Sequence, residues 1–174
     1  MFAGKTEELL RRVRRAVIGG RSVQVFTHAL DTRPGSGRIA SHDGLEHPSR
    51  SVGAAAEILG SVPGGTDIVA IDEAHFFGPE LVPVVAELAG RGLVVIVAGL
   101  DVTFTGSPFP PLPSLMALAE RVDKLTAVCS VCGQDAVFHQ RIAPGLAADE
   151  DLVPEHVGGS DKYEARCRRH FAPA

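Results

Sequence analysis

From Thr6 to Ile18 the apolar positions Leu9, Leu10, Val13 and Val17 recur at helical spacing. Arg11, Arg12, Arg14 and Arg15 lie mostly off that face. Gly19-Gly20 ends the pattern, so the segment predicts a helix. The arginines read as a solvated helix face, with a phosphate site as the alternative. Ser22 to Thr27 is a short β-rich run. It leads into an irregular Gly/Pro-containing loop from His28 to Gly37, and Ile39 to Asp43 suits a second short strand. Pro48 to Leu59 predicts a helix with Ser49 or Ser51 as cap and Val52, Ala55, Ala56 and Leu59 on its inner face.

The centre of the chain has a plainer pattern. Asp67 to Asp72 is a continuous apolar run ending in acids, the form of a buried parallel strand with its chemistry at the C-terminal end. Pro79 opens a helix whose face is Leu81, Val84, Val85 and Leu88, up to Gly90. Leu93 to Ala98 predicts a second, fully buried strand, and Asp101 to Pro113 a long loop anchored by Phe104 and Phe109. Leu115 to Val122 then predicts a helix and Lys124 to Val128 a strand. This alternation indicates an α/β domain with a mostly parallel sheet. After Val128 no helix-length apolar period remains, so a boundary is placed between residues 1–127 and a small module, residues 128–174.

Composition narrows the possibilities. At 174 residues, 45 % hydrophobic and 22 % charged, the chain is one folded domain with a small appendage. No apolar run approaches the ~20 residues of a membrane-spanning helix. A net charge of −4 argues against a general nucleic-acid binder. Met1 to Thr6 does not read as a signal peptide. Three cysteines cannot close a set of disulfides, and they read as reduced thiols.

Three constellations carry chemistry. Gly4-Lys5-Thr6 opens the first predicted helix and has the form of the second half of a phosphate-binding loop. Backbone N–H groups would attract anionic oxygens, Lys5 would reach the β/γ-phosphates, and the Thr6 hydroxyl would hold Mg²⁺. By itself this half-motif is weak, and the glycine that opens the full loop would fall before Met1. The strand ending in Asp72-Glu73 is the acidic counterpart. Asp72 would act on Mg²⁺ and Glu73 could take a proton from an attacking hydroxyl, with two solvated acids as the plain alternative. Finally, Cys129-x-x-Cys132 and Cys167-x-x-His170 use every cysteine of the chain and suit a tetrahedral, structural Zn²⁺. The 34 residues between the pairs read as a lid or binding loop.

Taken in order, these pieces resemble the zinc-containing, P-loop thymidine kinases. The resemblance rests on Met1 to Leu10, Asp31-Thr-Arg33, Ser41-His-Asp43, Ile71 to Phe77, Val97 to Asp101 and Phe104. It continues through Lys124 to Cys129, Cys132 and Gly158 to Cys167. It implies a RecA-like P-loop core (residues 1–127) carrying a zinc-stapled lasso (residues 128–174). The implied reaction is Mg²⁺-dependent transfer of the ATP γ-phosphate to the 5′-hydroxyl of thymidine, and of deoxyuridine. By position, Gly4, Lys5 and Thr6 would bind ATP phosphates and Mg²⁺, and Asp72, Glu73, Ala74 and His75 would lie against the nucleotide, with Glu73 as general base. Phe76, Leu100 and Phe104 would frame the thymine. His139, Val157 and Tyr163 of the lasso would close over it, and Arg33 and Asp43 would sit in a loop near the site. The family pattern further implies a cytosolic homotetramer inhibited by dTTP.

The sequence departs from that pattern at three places. His75 stands where Gln is usual, His139 where Thr is frequent, and His170 where many members have Cys, a substitution zinc accepts. The expected strand and first glycine of the phosphate loop do not precede Lys5. The expectation is therefore a start placed too late, or a non-catalytic, zinc-stapled nucleotide-binding relative of the kinases.

Overall fold

The computed structural model describes residues 1–31, 37–40, 44, 46–142 and 162–172. Arg33, Asp43 and Val157 lie outside the described residues. The elements in chain order are α1 (Lys5–Ile18), β1 (Val23–His28), β2 (Arg38–Ala40), β3 (Glu46–Pro48), β4 (Arg50–Val52), α2 (Ala55–Ser61) and β5 (Ile68–Ile71). A 3₁₀ turn (Ala74–Phe77), α3 (Leu81–Gly90), β6 (Val94–Val97) and α4 (Leu112–Leu118) follow. The chain ends in β7 (Ala127–Val128), β8 (Asp135–Ala136), β9 (Phe138–Arg141) and β10 (Tyr163–Arg166).

Four strands form a parallel sheet in the order β4-β1-β5-β6. Its register aligns Phe26 with Ile71 and Ile71 with Val97, so the C-terminal ends of the strands open at one edge. The alternation of strand side chains divides the core between two faces. Val25 and Ala70 point to the face covered by Leu9, Leu10 and Val13 of α1. Phe26, Val69 and Ile71 point to the other, where Ile58, Leu81, Leu88 and Leu112 arrive from α2, α3 and α4. Ile58, Leu81 and Leu88 are 0 % exposed, and each such side chain contributes roughly 1.5–3 kcal/mol by leaving water.

α1 begins and ends as the pattern predicts. Gly20 supplies the left-handed residue after it (φ 76°), which lets the Arg21 N–H reach the Ala16 carbonyl at 3.0 Å. Val17, expected inside, is exposed, because α1 projects beyond the residues it covers on the sheet. Two of the four arginines on the outer face are paired: Arg11 and Arg12 meet Glu8 at 2.6 and 2.8 Å, and Arg12 meets Asp123 at 2.5 Å.

Four expectations need correction. Pro48–Leu59 is not one helix. Its first part is shared between β3, paired antiparallel with β2, and the edge strand β4, because β1 offers backbone partners at Phe26 to His28. The helix starts only at Ala55, and instead of a serine cap the Glu57 carboxylate accepts the Gly53 N–H at 3.1 Å. β6 is an edge strand rather than a fully buried one, and Val94 is 49 % exposed. α4 runs from Leu112 to Leu118, earlier than its apolar spacing suggested. The strand expected at Lys124–Val128 is reduced to Ala127–Val128, which pairs antiparallel with β8 rather than joining the parallel sheet. No helix among the described residues is long and apolar enough to cross a membrane.

Candidate functional site

The parallel ladder delivers Asp72 and Glu73 to the C-terminal edge of the sheet. The Asp72 N–H donates to the Phe26 carbonyl at 3.0 Å, and the Ala74 N–H donates to Ala98 at 2.9 Å. Glu73 turns the chain out of the strand. Its φ of 49° and ψ of 42° put a non-glycine residue in the left-handed region, a conformation costing about 1 kcal/mol or more that tertiary contacts must hold. Just beyond β6, the backbone at Gly99 passes so close that a Cβ there would lie 2.9 Å from Leu112 Cδ2 and 3.3 Å from Ala74 Cβ. Glycine is what allows β6 to approach the 3₁₀ turn.

At this edge the structure joins the two halves of the predicted phosphate site. The Thr6 hydroxyl donates to Asp72 Oδ2 at 2.7 Å, while the Glu73 N–H donates to Asp72 Oδ1 at 2.9 Å. Asp72 is 2 % exposed. Burial first, and then the Glu73 carboxylate beside it, push the Asp72 carboxyl well above the usual range, against the Thr6, Glu73 N–H and Lys5 contributions. An excess of buried negative charge carried on hard oxygen donors is the environment a Mg²⁺ ion neutralises, so Thr6 and Asp72 fit that cation.

A second group of predicted residues surrounds His75. Its Nδ1 accepts the Leu100 N–H at 3.3 Å and lies 3.5 Å from Glu73 Oε2. Its ring meets Phe76 at 4.3 Å and Phe109 at 5.1 Å between centroids. From the other side, β9 and β10 pair antiparallel, with Tyr163 opposite Arg141 and Ala165 opposite His139. His139, Arg141 and Tyr163 therefore share one face. Tyr163 meets His139 edge-on at 5.5 Å and approaches Phe104 at 6.4 Å, and the Arg141 guanidinium lies 5.3 Å from the Phe104 ring centre. His139 is 4 % exposed. Burial, reinforced by positive charges that include Lys5, pushes it down to about 3, so it is neutral in the working range. Through these contacts with Phe104, the ribbon faces the loop that follows β6.

The metal set is assembled as the spacing implied. One donor atom each from Cys129, Cys132, Cys167 and His170 lies within 4.8 Å of the others. The separation is 3.8 Å between Cys132 and Cys167 Sγ, and 3.3 Å from Cys167 Sγ to His170 Nδ1. The turns are pinned by Gly133 N–H to the Cys129 carbonyl at 2.9 Å and by His170 N–H to the Cys167 carbonyl at 3.0 Å. A Cys₃His cluster of this compactness fits tetrahedral Zn²⁺.

The thymidine kinase family model matches residues 1–171. The chain belongs to the thymidine kinase family. It is accordingly an α/β phosphotransferase of the P-loop type, with a four-stranded parallel sheet flanked by helices and a Cys₃His cluster fitting zinc. A thymidine kinase of Halobacterium salinarum is 48 % identical over 171 residues, covering 97 % of this chain and 88 % of the relative. One of Deinococcus deserti is 46 % identical over 180 residues, covering 98 % and 89 %.

Several residues that shape the site had no local signal. His28, at the end of β1, is buried and packs edge-on against Phe77 at 4.7 Å and 5.9 Å from Phe76. Lys124 Nζ meets Asp101 Oδ2 at 2.6 Å and ties down the loop after Leu100. Arg141 resembles any polar strand residue until β9 is paired. Phe109 stood out in the sequence as a loop anchor, and Asp101 and Lys124 as ends of segments of the family pattern, but none of their contacts did.

Proposed function

We propose that the protein transfers the γ-phosphate of ATP to the 5′-hydroxyl of thymidine, and of deoxyuridine, in a Mg²⁺-dependent reaction of nucleotide salvage for DNA synthesis. The observation that carries this reading is the Thr6–Asp72 hydrogen bond, which unites the Gly4-Lys5-Thr6 helix start with the acidic end of β5. Phosphoryl transfer asks for positioning and charge neutralisation more than for covalent chemistry. Gly4 enters α1 in the left-handed region (φ 71°), and the backbone N–H groups that follow receive phosphate oxygens. The Lys5 ammonium reaches the same phosphates. Thr6 and Asp72 would hold Mg²⁺, which would supply charge neutralisation at the transferred phosphate. Glu73, whose Oε2 lies 3.5 Å from His75 Nδ1, accepts the 5′-hydroxyl proton. Ala74 and His75 line the nucleotide.

The nucleoside base lies among Phe76, Leu100, Phe104, His139 and Tyr163, and the family resemblance alone adds Val157 to this set. A neutral His139 presents both a ring N–H and a ring nitrogen acceptor to a pyrimidine edge. Cys129, Cys132, Cys167 and His170 would hold zinc at the base of the ribbon, and four protein ligands would leave no open position for catalysis. The same family pattern supports feedback inhibition by dTTP, a cytoplasmic homotetramer, and no nucleic-acid or membrane partner.

The test is ADP release by the full chain with ATP, Mg²⁺ and a panel of nucleosides. Thymidine and deoxyuridine are expected to be phosphorylated and ribonucleosides rejected. Tight ATP binding without nucleoside-dependent turnover would instead make the protein a non-catalytic nucleotide binder and overturn the proposal.

A further inference from the structure

The two strand faces of the β9–β10 ribbon have different neighbours. His139, Arg141 and Tyr163 stand on the face that meets Phe104. Phe138 and Gln140 stand on the opposite face, and both are engaged by the segment just after the last metal ligand. The Phe171 ring stacks on Phe138 with centroids 4.5 Å apart and planes 13° from parallel. The next residue, Ala172, donates its N–H to Gln140 Oε1 at 3.1 Å. Phe171 also touches the loop that carries Phe104. A Cβ on Gly106 would lie 2.8 Å from Phe171 Cε1 and 3.3 Å from Cζ, so the ring rests directly on the glycine backbone. Gly106 has a φ of 85°, and the turn that presents it is closed by its N–H donating to the Thr103 carbonyl at 3.0 Å. One ring thus contacts both walls of the proposed base pocket, the strand behind His139 and the loop behind Phe104. Its own place is set by the metal turn, since the N–H groups of His170 and Phe171 both donate to the Cys167 carbonyl at 3.0 Å.

We propose that Phe171 is a positioning residue for nucleoside binding, a wedge through which the Cys167–His170 turn fixes the spacing between Phe104 and the His139–Tyr163 face. The proposal rests on the thymidine kinase reading of that pocket. It assigns Phe171 no contact with substrate. It predicts that its loss loosens the nucleoside half of the site and spares the phosphate half, because Thr6, Asp72 and Glu73 are held by the parallel sheet.

The test compares the parent protein with Phe171→Ala and Phe171→Tyr. With Phe171→Ala the KM for thymidine is expected to rise roughly tenfold, with the KM for ATP within about twofold of the parent, since misplacing a binding wall penalises that substrate alone. Bound zinc stays at one equivalent. Phe171→Tyr keeps the ring and restores the parental thymidine KM. A second readout needs no turnover. The chain has one tyrosine and no tryptophan, so its emission reports Tyr163, which is 5 % exposed. Acrylamide quenching of that emission in the nucleotide-free protein is expected to rise at least about twofold in Phe171→Ala. Unchanged quenching together with an unchanged thymidine KM overturns the proposal, as does an equal rise in both KM values with loss of zinc. Should the parent itself not phosphorylate thymidine, the kinase reading fails. The quenching comparison still decides whether Phe171 holds the ribbon.

Discussion

The acidic end of β5 rests on a core where Ile71, Leu81 and Leu88 are 0 % exposed and three helices converge. The ribbon carrying His139 and Tyr163 has a buried cluster of three alanines and two cysteines, Ala127, Ala136, Ala165, Cys129 and Cys167. Three methyl groups cannot offset the chain entropy of ordering such a segment, which costs on the order of 1–2 kcal/mol per residue for the backbone alone. The first region therefore takes its geometry from hydrophobic burial. The second takes it from a metal cluster and a few aromatic stacks. One site with two walls built in these two ways should respond differently on each wall to the same perturbation.

The largest effect should come from removing the metal. Structural zinc in small modules is worth about 10–16 kcal/mol at neutral pH. Chelation, or Cys129→Ser with Cys167→Ser, should therefore melt the ribbon and abolish thymidine binding, while hydrogen exchange in β1 and β5 stays protected. Equal loss of protection in both regions would break the comparison. Next in size, Glu73→Gln should lower kcat by roughly 10²–10⁴-fold through loss of the proton acceptor, with the melting temperature within about 2 °C of the parent. A smaller drop in kcat would remove Glu73 from the role of base. Leu88→Ala, in contrast, should cost about 2–5 kcal/mol, read as a lower melting temperature with zinc content unchanged.

Two smaller effects follow from ionisation. Burial and Glu73 hold the Asp72 proton up to about 6. Mg²⁺ competes with that proton, so in nucleotide-free protein its affinity should fall about tenfold per pH unit below that value and level off above it. A Mg²⁺ titration across the pH range checks this. His139 is the opposite kind of group, with its folded pKa pushed down to about 3, chiefly by burial. Its unfolded form takes up a proton near the ordinary histidine value and the folded form does not. Its contribution to stability is therefore full above about pH 6.5 and is lost as pH falls toward about 3. The melting temperature of His139→Thr should depend less on pH across that window than the parent's, the smallest of the five effects.

Much of the sheet was legible because its strands are short, continuous and apolar. Ile68–Ile71 and Val94–Val97 both lie within the runs that patterning marked. Where patterning failed, the reason is pairing. Val52 and Ala55 sit at helical spacing, yet the free edge of β1 recruits Arg50–Val52 as a strand. Val94 is as apolar as any core residue, and only sheet order decides that it is half exposed. In the site, Lys5, Thr6, Asp72, Glu73 and the Cys₃His set were readable because motif chemistry is written in adjacent residues. His28, Arg141 and the Asp101–Lys124 pair were not, because each acts only through a partner brought in by folding.

By itself the sequence determined the alternation of strands and helices, the Cys₃His set that fits zinc, the residues proposed for phosphate and Mg²⁺, and the family to which they belong. Those properties follow from periodicity and from the short-range spacing of ligands. Tertiary structure alone decided that the Thr6 hydroxyl meets Asp72 across 66 positions of chain. It also decided that Phe171, one residue past a zinc ligand, wedges between Phe138 and Gly106. Contacts of that kind depend on strand register and on which face of a ribbon turns inward, and no local run of residues encodes either.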